Sequence, residues 1–217
     1  MIKGIIFDFD GTIVDTNELI LKCLLLTAKN ISNIELSKKD IETIYGRSLT
    51  QQMEMIDKTK ILELANYYKK MYFELMDNET FLFKGIKELI INLHNMDIKL
   101  AILTNKSTKG VNHGLELFNL KDYFHEVISM DDVNLGKPNN EGLIKLLNKL
   151  NLKNEEVLII GDSEHDIEVG INNDIISIMV GWSFLSVDKF KTKPSFIIDK
   201  PNEIIDYINK ENKKENS

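Results

Sequence analysis

Two aspartates set two residues apart, Asp8 and Asp10, end the apolar run IIFDFDGT and are followed at once by Gly11 and Thr12. On an extended strand, residues two apart share a face, so both carboxylates can address one reacting group. Such neighbours repel unless a cation offsets them. A third acid, Asp162, closes another apolar run in IIGDS, and an all-oxygen donor set that keeps several waters is the kind Mg2+ accepts. Lys137 in LGKP adds a fixed positive charge, and Thr104 in LTNK adds a hydroxyl. The chemistry that needs this set is phosphoryl transfer through a carboxylate. A divalent ion neutralises phosphate oxygens that would repel the attacking acid, while Lys137, Thr104 and nearby backbone N–H groups donate to the transferring oxygens. Gly11, lacking a Cβ, lets the backbone approach the phosphate closely.

Taken singly, each of these residues has an ordinary structural use. Asp-Gly is a common turn pair, Thr104 or Ser107 can cap a helix, Asp162 can do the same, and most lysines are solvated. Their weight comes from joint placement at successive strand ends. Short apolar, β-prone runs recur at residues 4–9, 98–103, 126–129, 156–160, 175–180 and 195–198, with helix-like segments at 85–95, 108–117, 140–148 and 164–172 between most of them. Strands apolar on both faces and alternating with helices imply an α/β fold with a doubly wound parallel sheet covered on both sides. In such sheets, ligands bind beyond the carboxyl ends of the strands, near the point where strand order reverses.

The alternation stops after the first strand. Residues 17–80 carry no comparable strand run and show helical periodicity instead, at 17–31, at 38–44 with Ser37 and Asp40 placed as a capping-box variant, and at 61–76. The stretch YGRSLTQQ lies between them, with Gly46 as a break. Tyr67, Tyr68, Met71, Tyr72, Leu75 and Met76 form a stripe that reads as core. The expected organisation is a core domain of residues 1–15 and 81–208, an inserted helical domain at 16–80, and a flexible tail at 209–217, where NKENKKENS offers no apolar anchor.

A net charge of −7 leaves no basic field to attract nucleic acid or an anionic membrane. The first apolar run is cut by Asp8, Asp10 and Asp15, which fits neither a signal peptide nor a membrane span. The expectation is a cytoplasmic protein, monomer or homodimer, acting on a small phosphorylated metabolite. Cys23, the single cysteine, sits in the run LILKCLLL and reads as a buried helical thiol.

The four motifs resemble those of the haloacid dehalogenase superfamily of phosphohydrolases: Asp8-Phe9-Asp10-Gly11-Thr12, then Leu103-Thr104-Asn105, then Gly136-Lys137-Pro138, then Gly161-Asp162-Ser163-Glu164-His165-Asp166, in the family's order. The resemblance covers the chain to about residue 200. It implies that Asp8 is the nucleophile and Asp10 the general acid and base. It also implies that Asp8, the Asp10 carbonyl and Asp162 hold Mg2+, and that Asp166 orients Lys137 or a metal-bound water. Gly11, Thr12, Thr104, Asn105 and Lys137 would surround the phosphoryl group, and the insert would be the family's mobile cap. Among capped members the chain looks closest to the phosphoglycolate phosphatase-like group, with LTNK and Gly181-Trp182-Ser183-Phe184 as further marks. It departs from the family in having Lys84-Gly85 where Pro-Gly is usual, and in reading IEVGINND after the last motif. His165, which the motif does not require, is expected on the surface.

A β-phosphoglucomutase-like mutase shares this core, but that group's cap histidine, five residues after the acid of its Asp-Thr pair, is replaced here by Ile20. A nucleotide or pyrophosphate phosphatase remains compatible. A phospho-accepting signalling module of the response-regulator type would use similar residues, but the chain length, the insert and the late G-D-x-x-x-D motif oppose it. Arg47, in the turn after Gly46, is placed to hold a substrate carboxylate or second phosphate. Arg47→Ala is therefore expected to raise KM for the best anionic substrate; an unchanged KM would mark it as a surface arginine.

Overall fold

The computed structural model describes residues 1–214. The chain forms two compact units, one from Met1–Val14 together with the chain from Leu82 onward, the other from Asp15–Phe81. The first unit opens with β1 (Gly4–Phe7), and β2 (Val14–Asp15) leads into the second, which holds α1 (Asn17–Thr27), α2 (Lys38–Ile44), α3 (Leu49–Asp57) and α4 (Ile61–Glu79). The chain returns through β3 (Phe81–Leu82) to α5 (Ile86–Asn95), β4 (Lys99–Leu103), α6 (Thr108–Leu117) and β5 (Glu126–Ile128). It continues with α7 (Glu141–Leu150), β6 (Val157–Gly161), α8 (Glu164–Ile171), β7 (Ile176–Val180), β8 (Phe196–Ile198) and α9 (Glu203–Lys214).

Six strands form one sheet in the order β5-β4-β1-β6-β7-β8, every neighbouring pair parallel. The order reverses at β1, which lies between β4 and β6, so the carboxyl ends of these three strands frame the binding crevice of a doubly wound sheet. Alternate strand residues serve opposite faces. Ile5 and Phe7 pack with Leu100, Ile102, Leu158 and Ile160 beneath Leu89 and Leu93 of α5 and Val111 and Leu115 of α6. Ile6 packs with Ala101, Leu103 and Ile159 beneath Leu143, Leu146 and Leu150 of α7. Each fully buried Leu or Ile contributes about 1.5–3 kcal/mol relative to its exposed state, so the two apolar layers hold the sheet and with it the residues at its strand ends.

The first strand is shorter than expected, ending at Phe7, with Asp8 one residue beyond it. The Asp8 N–H still donates to Ile160 O at 2.8 Å, while the chain bends at Phe9. The presentation of Asp8 and Asp10 is therefore set by a turn and not by strand regularity.

Within the helical unit, Leu64, Tyr68, Tyr72 and Met76 of α4 are buried at four-residue spacing, while Tyr67, Met71 and Leu75 of the expected stripe are half-buried, and Cys23 is buried in α1. The segment YGRSLTQQ holds more than the expected break, because α3 starts within it. Ser48 caps that helix, its hydroxyl accepting from Gln51 N–H while Gln51 accepts from Ser48 N–H. The Ser-x-x-Gln pattern of a capping box was present in the sequence.

The expectation of a free tail from residue 209 is corrected by α9, which continues to Lys214. Asn212 Oδ1 accepts from Ile2 N at 2.8 Å and Asn212 Nδ2 donates to Ile2 O at 3.4 Å, while Ile204 and Ile208 pack into the sheet's core. A polar clamp on the first strand's lead-in does what an apolar anchor was expected to do. Residues 215–217 of the expected tail lie outside the described residues. No helix among the described residues is long and apolar enough to cross a membrane. Replacing Asn212 with Ala is expected to cost about 1 kcal/mol, as for a typical net hydrogen bond, with a lower Tm by calorimetry; an unchanged Tm would mean that the clamp holds nothing.

Candidate active site

At the carboxyl edge of the sheet, the loop between β5 and α7 inserts Lys137 between two acids. Its Nζ donates to Asp8 Oδ1 at 2.6 Å and to Asp166 Oδ1, and only 4% of its side chain is exposed. Asn105, two residues past β4, fixes the lysine's backbone from both sides: Asn105 Oδ1 accepts from Lys137 N at 2.8 Å and Asn105 Nδ2 donates to Lys137 O at 3.1 Å. The Asn105 side chain is thus a clamp on Lys137. The reason is its place opposite the Lys137 loop, which sequence order does not show.

Asp166 lies in the first turn of α8, where its Oδ2 accepts from Ser163 N at 3.0 Å and from Ser163 Oγ at 2.6 Å. Both its oxygens are engaged, one by the lysine and one by the helix start. Asp162 differs, since its Oδ2 is buried and has no hydrogen-bond partner among the described residues. Gly11, at φ +76°, crosses so close that a Cβ there would collide with the Asp162 carboxylate. The loop after β7 braces these turns: Ser183 Oγ donates to Asp162 O at 2.7 Å, and Trp182 Nε1 donates to Thr12 O at 3.3 Å.

Asp10 is turned toward a different cation. Both its oxygens accept from Lys106 Nζ, at 2.8 and 2.9 Å. Thr104 is buried, its hydroxyl oxygen accepting from Lys106 N at 3.2 Å, while Ser107 takes the cap of α6 by accepting from Gly110 N–H at 3.4 Å. Thr12 is also buried, with no hydrogen-bond partner for its Oγ1 among the described residues. The structure therefore brings Asp8, Lys137, Asp162 and Asp166 into one cluster, with Asp10 joined to Lys106. Arg47 belongs to the helical unit, where its Nε donates to Thr43 O at 2.9 Å. His165 is half-buried on α8, not exposed as expected. Lys106, Ser163, Trp182 and Ser183 are contributors that the sequence reading did not single out by role. Lys106 stood in LTNK, directly after the strand-end pair, and that position was the available signal.

One carboxylate oxygen from each of Asp8, Asp162 and Asp166 lies within 4.8 Å of the others. Burial raises the Asp8 carboxyl to about 7; Lys137 opposes the rise, and Asp166 and Asp10 add to it. Burial, followed by Asp8 and Asp166, raises Asp162 well above the usual carboxylate range. Burial lowers the Lys137 pKa, but the charges of Asp166 and Asp8 outweigh it, so Lys137 stays protonated. Fully ionised, three carboxylates against one ammonium would leave two uncompensated negative charges in a buried space, which is why Asp8 and Asp162 hold their protons above the usual range, and one carboxylate oxygen there has no partner among the described residues. That donor set fits a hard divalent cation such as Mg2+.

A profile for haloacid dehalogenase-like hydrolases matches residues 5–180. The chain belongs to the haloacid dehalogenase-like hydrolases. As a member of that family, it is an enzyme of the phosphatase-type hydrolases, built on the family's mixed α/β core. It is 31% identical over 95% of its length to pyrophosphatase PpaX of Halalkalibacterium halodurans, covering 97% of that protein. Its fold matches a predicted phosphoglycolate phosphatase from Haemophilus somnus (TM-score 0.81, 21% identity, 95% of this chain and 98% of that one). It also matches the β-phosphoglucomutase of Clostridium difficile (TM-score 0.82, 21% identity, 97% and 96%). At that identity the two structures support the hydrolase fold of this chain and nothing finer.

The raised Asp8 pKa has a thermodynamic consequence for this hydrolase when metal is withheld. Between about pH 4 and about pH 7, the folded protein keeps a proton on Asp8 that the unfolded chain has lost. The stability contributed at low pH is therefore lost as pH rises through this window, then levels off above it. With EDTA present, Tm should fall more steeply from pH 5 to 7.5 in the wild type than in Asp8→Asn. Equal slopes would contradict a burial-strained Asp8.

Proposed function

We infer that this hydrolase is a Mg2+-dependent phosphatase that cleaves a small phosphorylated metabolite through phosphorylation of Asp8. The observation that supports this most strongly is the cluster itself. Asp8 is held by the buried Lys137 at 2.6 Å, beside an Asp162 oxygen that no protein group satisfies. Asp8, the Asp10 backbone carbonyl and Asp162 would hold Mg2+, which when bound offsets the negative charge of acids and phosphate alike and lets a carboxylate approach phosphorus.

The chain's own residues supply the remainder. Lys137 orients Asp8 for in-line attack and, with the Thr104 hydroxyl and the N–H groups after Asp8, binds the phosphoryl oxygens. Attack forms the Asp8 Oδ–P bond and breaks the bond from phosphorus to the leaving oxygen. Asp10 gives that oxygen a proton, then takes one from the water that hydrolyses the aspartyl-phosphate and regenerates Asp8. Asp166 holds Lys137 from the far side and so keeps its ammonium aimed at the phosphoryl position. Ile20, where mutases of this core carry a histidine, favours release to water over transfer to a second hydroxyl.

For the substrate, the PpaX relative supports inorganic pyrophosphate ahead of 2-phosphoglycolate, because its 31% identity spans nearly the whole chain, whereas the phosphoglycolate likeness rests on fold alone. Across a panel of pyrophosphate, 2-phosphoglycolate, sugar phosphates and nucleotides with Mg2+, pyrophosphate should give the highest kcat/KM. Asp8→Asn should lose at least about a thousandfold in kcat, the scale seen on removing a nucleophile, while keeping its fold by circular dichroism. Near-normal turnover by that variant would overturn the mechanism, and a different leading substrate would overturn the choice of pyrophosphate.

A further inference from the structure

We propose that Lys106 is the specificity-determining residue at the leaving-group side of the site, where it favours substrates whose leaving group departs as an anion. The proposal rests on the phosphatase reading and deepens it. Lys106 Nζ contacts both oxygens of Asp10, at 2.8 and 2.9 Å, with only 10% of the lysine side chain and 19% of the aspartate side chain exposed. Asp10 is the group that must reach the leaving oxygen. An oxygen within hydrogen-bond distance of Asp10 then lies within roughly 6 Å of the ammonium, the sum of two hydrogen-bond lengths, in a space too dry for water to screen much of its charge.

The lysine's placement is built, not incidental. Its stem lies against Gly110 of α6, where a Cβ would stand 2.8 Å from Lys106 Cε and 3.2 Å from Cγ, so a side chain at 110 would push the stem aside. The ammonium also sits 5.9 Å from the centre of the Phe9 ring, between the two acids of the first motif. Its backbone is tied at both ends, Lys106 N donating to Thr104 Oγ1 at 3.2 Å and Lys106 O accepting from Met130 N at 3.0 Å.

This second cation suits one kind of leaving group. Lys137 and a divalent ion together balance Asp8, Asp162 and Asp166 at the transferring group. Lys106 lies outside that balance, paired with Asp10, and its charge is uncompensated once Asp10 carries the proton it delivers. A monoester leaves as an alkoxide that a proton from Asp10 makes neutral, and a further cation gains little there. Pyrophosphate is different: as the Asp8 Oδ–P bond forms, the bridging oxygen takes the electron pair of the breaking bond and departs on a phosphate that stays dianionic after receiving the Asp10 proton. Water then releases the second phosphate from Asp8 and returns the proton to Asp10. The overall step, pyrophosphate and water to two hydrogen phosphates, is balanced. The departing dianion is the species that an ammonium beside Asp10 stabilises.

The test compares kcat/KM for pyrophosphate and for β-glycerol phosphate, with saturating Mg2+, in the wild type, Lys106→Gln and Lys106→Arg, with circular dichroism and Tm as checks on folding. The Gln variant should lose at least tenfold more on pyrophosphate than on the glycerol ester, and the Arg variant should recover most of that difference because it keeps the charge. Equal losses on both substrates overturn the proposal and leave Lys106 as a support for Asp10 alone. Wild-type turnover of the ester without pyrophosphate cleavage also overturns it. A Gln variant that fails to fold moves the decision to the Arg variant, whose pyrophosphate-to-ester ratio must stay within about threefold of the wild type for the proposal to stand. Absence of Mg2+-dependent turnover of any phosphate compound by the wild type would instead refute the phosphatase reading underneath.

Discussion

The site depends on one buried ammonium. Lys137 lies between Asp8 and Asp166 with almost no exposure to water, and each partner makes the others tolerable. Without the lysine, two acids would be buried next to a third with nothing to offset them, and breaking such a buried pair costs about 3–5 kcal/mol. The lysine in turn keeps its charge in a dry environment only because two carboxylates face it. The arrangement also settles orientation: Asp8 Oδ1 is pinned to a group that stays cationic.

The surrounding scaffold can be understood as the means of holding that triad. Two apolar layers fix the sheet, and the sheet fixes the levels at which β1, β4 and β6 release their chains. Asn105 then grips the Lys137 backbone at both N–H and C=O, Ser163 grips the far oxygen of Asp166, and the loop holding Trp182 and Ser183 ties down the turns that carry Thr12 and Asp162. These are short polar links at the edge of a rigid core, the arrangement that lets a site be precise without being built from flexible loops alone. Among the described residues, the scaffold leaves the buried Asp162 Oδ2 and the Thr12 hydroxyl without a hydrogen-bond partner.

Two cations hold different acids at the edge of the sheet. Lys137 pairs with Asp8 and Asp166 and Lys106 pairs with Asp10, and they come from different loops. Under the proposed mechanism, that separation would let the leaving-group side be tuned without disturbing the attack.

The sequence by itself determined the alternating strands and helices, the helical insertion, the strand-end positions of Asp8, Thr104 and Asp162 and the loop position of Lys137, because each of these is written in local periodicity and in turn chemistry. It also contained, unread, the Ser48–Gln51 capping box that starts α3. Tertiary structure alone decided what depends on residues far apart in the chain. Asn105 became a clamp because the Lys137 loop folds back over it, and Asp10 faces Lys106 because α6 leaves a gap at Gly110 for the lysine's stem. The last helix holds to Lys214 because Asn212 meets Ile2 across 210 positions of sequence. Hydrogen bonds and charges act over a few ångströms of space whatever the separation along the chain, so partners of this kind become legible only once the chain is folded.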